Sequence, residues 1–337
     1  MIPHMLRTFF ALAATLPLAA SAQAPGYRPV QHQFAAPLID RATPQEMAFL
    51  ADQGLSIEHD RPPEQALAEH RRLDRALAAL QPQRPGVVDA YVVAVGLDSD
   101  AVFGREAREA GRVLTRRYRA AGRSVTLAGT DGTADSALPM GSPPNLSAVL
   151  ARVAELMDKE EDVLILYTTS HGAPFGIVYN DGDQGFGAIS PVRLWTQLNR
   201  LGIGNRMLLI SACYAGVFVP LLKSDTTAIV TAASADRTSF GCQADMDWTF
   251  FGDALVNHAL RKPQPLAAAA EEAKRLINGW EAQGKLDQSQ PQIALGAGVR
   301  RWLDPLEARM PEATPRVGRP ATLSLVTVEQ ATKPPGR

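Results

Sequence analysis

Four short runs of apolar, largely β-branched residues recur through the middle of the chain, separated by longer stretches with helical spacing. They are Val87–Val95, Val163–Tyr167, Met207–Ile210 and Ala228–Thr231, with a further short strand expected at Ser124–Ala128. The main runs are continuously apolar rather than alternating, the pattern of a strand covered on both faces. Between and after them, helices are expected at Gly104–Ala120, from Asn145 to Leu156, from Ser190-Pro191 onward, at Trp248–Leu260 and at Leu266–Trp280. Asn145 and Ser190 supply capping side chains, and Pro191 suits a first helical turn. Strands alternating with helices, joined by right-handed crossovers, give an α/β fold: a doubly wound, mostly parallel central sheet with helices on both faces. With 46% hydrophobic residues the chain has the material for such a core.

The two ends read differently. Arg7, the apolar stretch Phe9–Ala20 and the small residues Ala20-Ser21-Ala22 have the order of a signal peptide, so residues 1–22 are expected to be removed and the protein to be periplasmic or secreted. Residues 23–86 form a Pro- and Gln-rich lead-in with one helix, Pro63–Leu80, where Leu67, His70, Leu73, Leu77 and Leu80 recur at steps of three and four. Residues 87–303 hold the α/β domain, and residues 304–337, rich in Pro, Thr and Arg, are expected to be a disordered tail. A net charge of -1 gives no electrostatic reason for nucleic acid or an anionic membrane as partner, and no membrane span is expected once the signal is removed. Two cysteines make no disulfide framework, no Cys/His cluster has metal-ligand spacing, and no cofactor or metal is expected. Asn180-Asp181-Gly182-Asp183 lacks the later Glu of a calcium loop and reads as a turn.

Ligands of open parallel sheets gather at the carboxyl ends of the strands. Two strand ends here deliver reactive residues: Tyr167-Thr168-Thr169-Ser170-His171-Gly172, and Ile210-Ser211-Ala212-Cys213-Tyr214-Ala215-Gly216. If the strands are neighbours, His171 and Cys213 face each other. That pairing suits nucleophilic acyl transfer, since a free thiol with a pKa of about 8.5 is only partly ionised at neutrality and gains from an imidazole beside it. Gly172 permits close substrate approach, and its N–H and that of Cys213 are the candidate oxyanion donors. Cys242 reads as small buried packing, with a reversible bridge to Cys213 as the alternative.

At these residues the chain resembles the legumain family of cysteine peptidases, in the wider group of caspases and gingipains, and its bacterial exported branch in particular. The resemblance continues through Ser190–Leu198, Ala232–Arg237, Thr238–Cys242 and Gly252-Asp253. It implies a caspase-like sandwich, a catalytic dyad of His171 and Cys213, and a peptide or protein substrate. It places Ser239, Asp253 and Arg105 in the pocket for the residue before the scissile bond, with Ser211 where legumains have Glu. Loss of that acceptor removes the basis for asparaginyl specificity. The Asn that supports the family's catalytic His has no counterpart; Asp98 and Asp100 lie nearby without reproducing it. Hydrolysis through a Cys213 thioester is the expected chemistry. Transpeptidation by the same dyad and a catalytically silent binding module on the same fold remain the alternatives.

Overall fold

A mostly parallel sheet flanked by helices is what the computed structural model of the chain shows; it describes residue 32 and residues 42–325. In chain order the elements are α1 (Pro44–Asp52), β1 (Ser56–Glu58), α2 (Pro63–Ala78), β2 (Ala90–Gly96), α3 (Ala101–Arg117), β3 (Ser124–Leu127), α4 (Pro143–Leu156), β4 (Val163–Thr169), β5 (Gly172–Ala173), β6 (Gly176–Asp181), β7 (Gly185–Ile189), α5 (Pro191–Arg200), β8 (Arg206–Ser211), α6 (Val219–Leu222), β9 (Thr227–Thr231), a π-helical stretch at Gly252–Ala259, α7 (Leu266–Gln283), β10 (Gln292–Leu295) and α8 (Arg300–Glu307). Residues of the expected leader, 1–22, and the last twelve residues lie outside the described part.

The main sheet has the order β10-β9-β8-β4-β2-β3. Its strands run parallel except β10, which pairs antiparallel with β9. Every residue of β2, β4, β8 and β9 is buried, which explains why their sequences read as unbroken apolar runs. Alternate side chains enter two separate cores. Val92, Ala94, Ile165, Tyr167, Met207 and Leu209 pack with α3, the π-helical stretch and α7. Val93, Val95, Leu164, Leu166, Leu208 and Ile210 pack with α4, α5 and α6. Burying one such Leu or Val is worth about 1.5–3 kcal/mol, so a one-residue slip of any strand exchanges both cores at once. The fold is therefore α/β, with a mostly parallel sheet covered on both faces, as the runs imply.

Three features depart from the sequence reading. A second, antiparallel sheet, β1-β7-β6-β5, grows from the loop after β4. Its outer strand comes from the lead-in, with Ser56 paired to Gly187, so residues 42–58 are part of the fold rather than a loose approach to it. α1 also lies there, started by a reciprocal capping box between Thr43 and Glu46. The expected disordered tail is corrected for residues 304–325. α8 continues through Glu307, Ala321 is 1% exposed, and the Ala321 N–H donates to Asp253 at 2.8 Å. The Val317 N–H donates to Asn257 at 2.9 Å, and its carbonyl accepts from the Trp248 indole at 3.0 Å. A Pro- and Arg-rich composition suggested disorder, but buried side chains of the π-helical stretch satisfy this segment's backbone.

Candidate active site

β4 and β8 are adjacent, parallel and in register, with Thr169 opposite Ser211. His171 and Cys213 each stand two residues beyond that pair, so the sheet itself sets them side by side. The Ser170 N–H donates to the Ser211 carbonyl at 3.2 Å, pinning the two strand ends together one residue before His171 and two before Cys213. The Ser170 hydroxyl donates to Val178 at 2.6 Å, and the Val178 N–H to the His171 carbonyl at 3.0 Å, tying the His loop to β6. With His171 and Val178 as the hydrogen-bonded pair, Gly172 opposite Ile177 takes the position whose N–H turns off the ladder.

Gly172 lies directly on the Cys213 backbone. A methyl group there would overlap the Cys213 carbonyl oxygen and sit 2.9 Å from the Cys213 nitrogen. The turn after Cys213 is sharp, since Tyr214 adopts φ 57° and ψ 13°, the left-handed region that non-glycine residues seldom occupy. It is held by a bond from its N–H to the Arg237 carbonyl at 2.8 Å. Backbone strain of this kind, of order 1–3 kcal/mol, persists where the surroundings fix the chain.

The sulfur has its own set of partners. The Ser239 N–H lies 3.2 Å from Cys213 Sγ and the Ser239 hydroxyl 3.5 Å. Cys242, packed against Val102, Phe103 and Met246, directs its thiol at the same sulfur. Both cysteines are free. The bond from Cys242 is the main influence lowering the Cys213 thiol to about 5; the Ser239 groups and the His171 charge add to it, and burial opposes them. Cys242 is pushed well above its ordinary value, first by serving as donor to Cys213 and then by burial, so it stays protonated. Replacing Cys242 with alanine is expected to raise the pH midpoint for iodoacetamide alkylation of Cys213 by roughly one unit, the worth of one hydrogen bond to a charged group. An unchanged midpoint would remove Cys242 from the account.

His171 is flanked by Phe103, edge to face at 5.0 Å, and its Nε2 stands 3.8 Å from Asp100 Oδ2. Burial lowers its pKa, but Asp100, Asp98 and the Cys213 charge outweigh that, and the net shift is upward. Asp100 was not identified from the sequence as the partner of His171. The signal available was its position at the carboxyl end of β2, the strand beside β4. Asp100 precedes α3 without a side-chain capping bond, so exchanging it for Asn leaves the helix start intact. The Asp100→Asn variant is expected to lower the His171 pKa, moving the alkaline limb of a kcat/KM–pH profile to lower pH. A limb that stays in place would show that Asp100 does not act on the imidazole.

A second histidine adjoins this group. His32 Nε2 lies 3.0 Å from Asp98 Oδ1 and its Nδ1 3.3 Å from Asp183 Oδ1. The hydrogen bond to Asp98 is the main cause raising His32 to about 9. His32, Asp98 and Asp100 place ligand atoms within 4.8 Å of one another, the spacing of a metal centre. The group is held together by hydrogen bonds between the His32 ring and the carboxylates of Asp98 and Asp183.

Of the residues expected to line a substrate pocket, Ser239 is brought to the thiol. The others are occupied within the protein. Ser211 is buried and its hydroxyl is 3.1 Å from that of Thr249. Asp253 is fully buried and accepts from Asn257 and the Ala321 N–H, both at 2.8 Å. Arg105 donates to the carbonyls of Asp131, Ala244 and Met246. The likeness that placed these three in a pocket did not anticipate that residues 243–247 and 317–321 would engage two of them.

Residues 144–299 match the model of the Peptidase C13 family. The match takes in His171, Cys213, Ser239 and Cys242 and begins after Asp98 and Asp100. A crystal structure of caspase-1 from Spodoptera frugiperda aligns over 61% of this chain and 85% of its own, with 14% identity and a TM-score of 0.40. Comparison with curated protein sequences gave no match.

Proposed function

We propose that this protein, whose residues 144–299 match the Peptidase C13 family, is a cysteine peptidase that hydrolyses peptide bonds through a covalent thioester on Cys213. The observation that carries the reading is the register of β4 and β8, which sets His171 and Cys213 beside each other at the carboxyl edge of the sheet. Near neutral pH the pair holds a thiolate and, over part of the range, an imidazolium, and its two titrations belong to the pair.

The Cys213 thiolate attacks the scissile carbonyl carbon. The N–H groups of Gly172 and Cys213, whose backbones are in contact, receive the developing oxyanion. His171 gives its proton to the leaving amine, and the carbonyl reforms as a thioester. His171, now neutral, takes a proton from water, which attacks the thioester; collapse of the second tetrahedral intermediate expels the thiolate. Asp100 favours the protonated form of the imidazole during the first half of the cycle. The same reading has the protein exported, on the charge, apolar run and small residues of its first 22 positions.

The test is labelling with a library of peptidyl acyloxymethyl ketones, followed by mass mapping of the modified residue and cleavage profiling of a peptide library. Labelling at Cys213 that is lost on unfolding, together with peptide products, supports the reading. Labelling only at Cys242, or cleavage that survives complete alkylation of Cys213, overturns it.

A further inference from the structure

The main sheet ends at β3, and among the described residues nothing pairs with its outer side. The Val92 N–H donates to the Arg123 carbonyl at 2.9 Å in the register Val92–Ser124. A parallel ladder in that register directs the N–H groups of Val125 and Leu127 toward β2. The N–H and C=O groups of Ser124 and Thr126 therefore point off the edge. The Ala128 N–H donates to Pro139 at 2.8 Å, closing the end of the strand.

Beside this edge runs a groove of ≈ 750 Å³ between β3 and α3. Ser124 and Thr126 line it from the strand, Arg108, Arg112 and Arg116 from the helix and Arg119 from the turn after it, with no Asp or Glu in its lining. Positions 108, 112 and 116 recur at steps of four and so share one face of α3, and Arg119 follows in the turn beyond its end. Arg108 is held by Gly129 and Ser136, and Arg119 by the Arg309 carbonyl. Arg112 is paired with Glu109, and the Arg116 guanidinium has no side-chain partner among the described residues. Successive arginines four residues apart rise by about 6 Å along a helix. Alternate residues of a strand advance by about 6.6 Å. A strand added to β3 would carry its α3-facing side chains past these arginines almost in step.

We propose that the β3 edge binds an extended acidic peptide segment of a partner protein by strand addition. Main-chain hydrogen bonds to Ser124 and Thr126 set its register, and alternate Asp or Glu side chains meet Arg112, Arg116 and Arg119. The charge selects this occupant over a second copy of the chain, because two copies paired edge to edge would bring one arginine row against the other. A purely electrostatic patch for lipid or nucleic acid would make no use of the unpaired backbone groups.

The test uses the full chain and a fluorescein-labelled octapeptide alternating Asp with Val, with binding read by anisotropy. The expected result is saturable binding that weakens with salt and falls at least tenfold in the Arg112→Glu/Arg116→Glu variant, whose thermal midpoint shows that it remains folded. The same peptide with N-methyl groups on alternate amides is expected to lose at least as much. Binding is expected to persist in the Cys213→Ala protein, which separates this surface from the peptidase reading. Equal binding of the N-methylated peptide overturns strand addition. So does equal retention by oligothymidylate, or by vesicles with a fifth of their lipid as phosphatidylglycerol. Unchanged binding in the double arginine variant overturns the site.

Discussion

The Cys213→Ala protein is expected to lose peptide hydrolysis by about 10⁴-fold or more while keeping its fold. The size of the effect follows from what the residue supplies. Alanine removes the atom that forms the thioester, and His171 then has no lowered thiol to serve. The backbone is unaffected, because the N–H of residue 213 and the left-handed turn at Tyr214 do not depend on the sulfur. Circular dichroism and thermal midpoint should match the parent, and peptide products should vanish under saturating substrate. Substantial turnover in this variant would require another nucleophile or a water-based route, and would remove the thioester from the mechanism. Retained labelling by the acyloxymethyl ketones at another residue would locate the competitor.

The second large effect is expected at Gly172, which carries no reactive group. Alanine there forces its methyl onto the Cys213 carbonyl oxygen and 2.9 Å from the Cys213 nitrogen. Backbone atoms cannot rotate aside as a flexible side chain can, so the loops after β4 and β8 must part. Overpacking of this kind costs about 1–3 kcal/mol in stability. Activity should fall further than stability, by about 100-fold or more, because both oxyanion donors lie on the two loops that separate. The discriminating pattern is a large fall in kcat with the Cys213 alkylation midpoint little changed, since Ser239 and Cys242 are held by other segments. Wild-type kcat in Gly172→Ala would show that the contact is not needed.

Much of the scaffold is legible in the sequence because its strands are buried on both sides. Val163–Tyr167 and Met207–Ile210 have no solvent face, so their runs are unbroken and their carboxyl ends locate the two reactive residues. The β5–β7 sheet is not legible for the opposite reason. Its strands contain Gly172, Gly176, Gly185 and Gly187, are short, and lack a continuous apolar run. Asp100 carries no motif, and its relation to His171 exists only once β2 lies beside β4. Ser211, Asp253 and Arg105 were assigned by likeness to a pocket. Their partners, the Thr249 hydroxyl, the Ala321 amide and the Ala244 and Met246 carbonyls, come from positions 38 to 141 residues away, which no local pattern encodes.

The segment expected to be a loose tail bears on where this protein can be cut or extended. Arg319 binds Asp247, and Val317 binds Trp248, in the stretch of chain that also carries Ser239 and Cys242. The folded unit therefore closes only when residues 314–321 return to it, although Cys213 lies more than a hundred positions earlier. A recombinant chain ending at residue 303 would contain His171, Cys213 and Gly172, the residues proposed to carry the chemistry, yet would omit part of the clasp that holds the sulfur's surroundings. Affinity tags and fusion partners belong beyond residue 325, and a shortened chain without activity would be evidence about that clasp before it was evidence about catalysis.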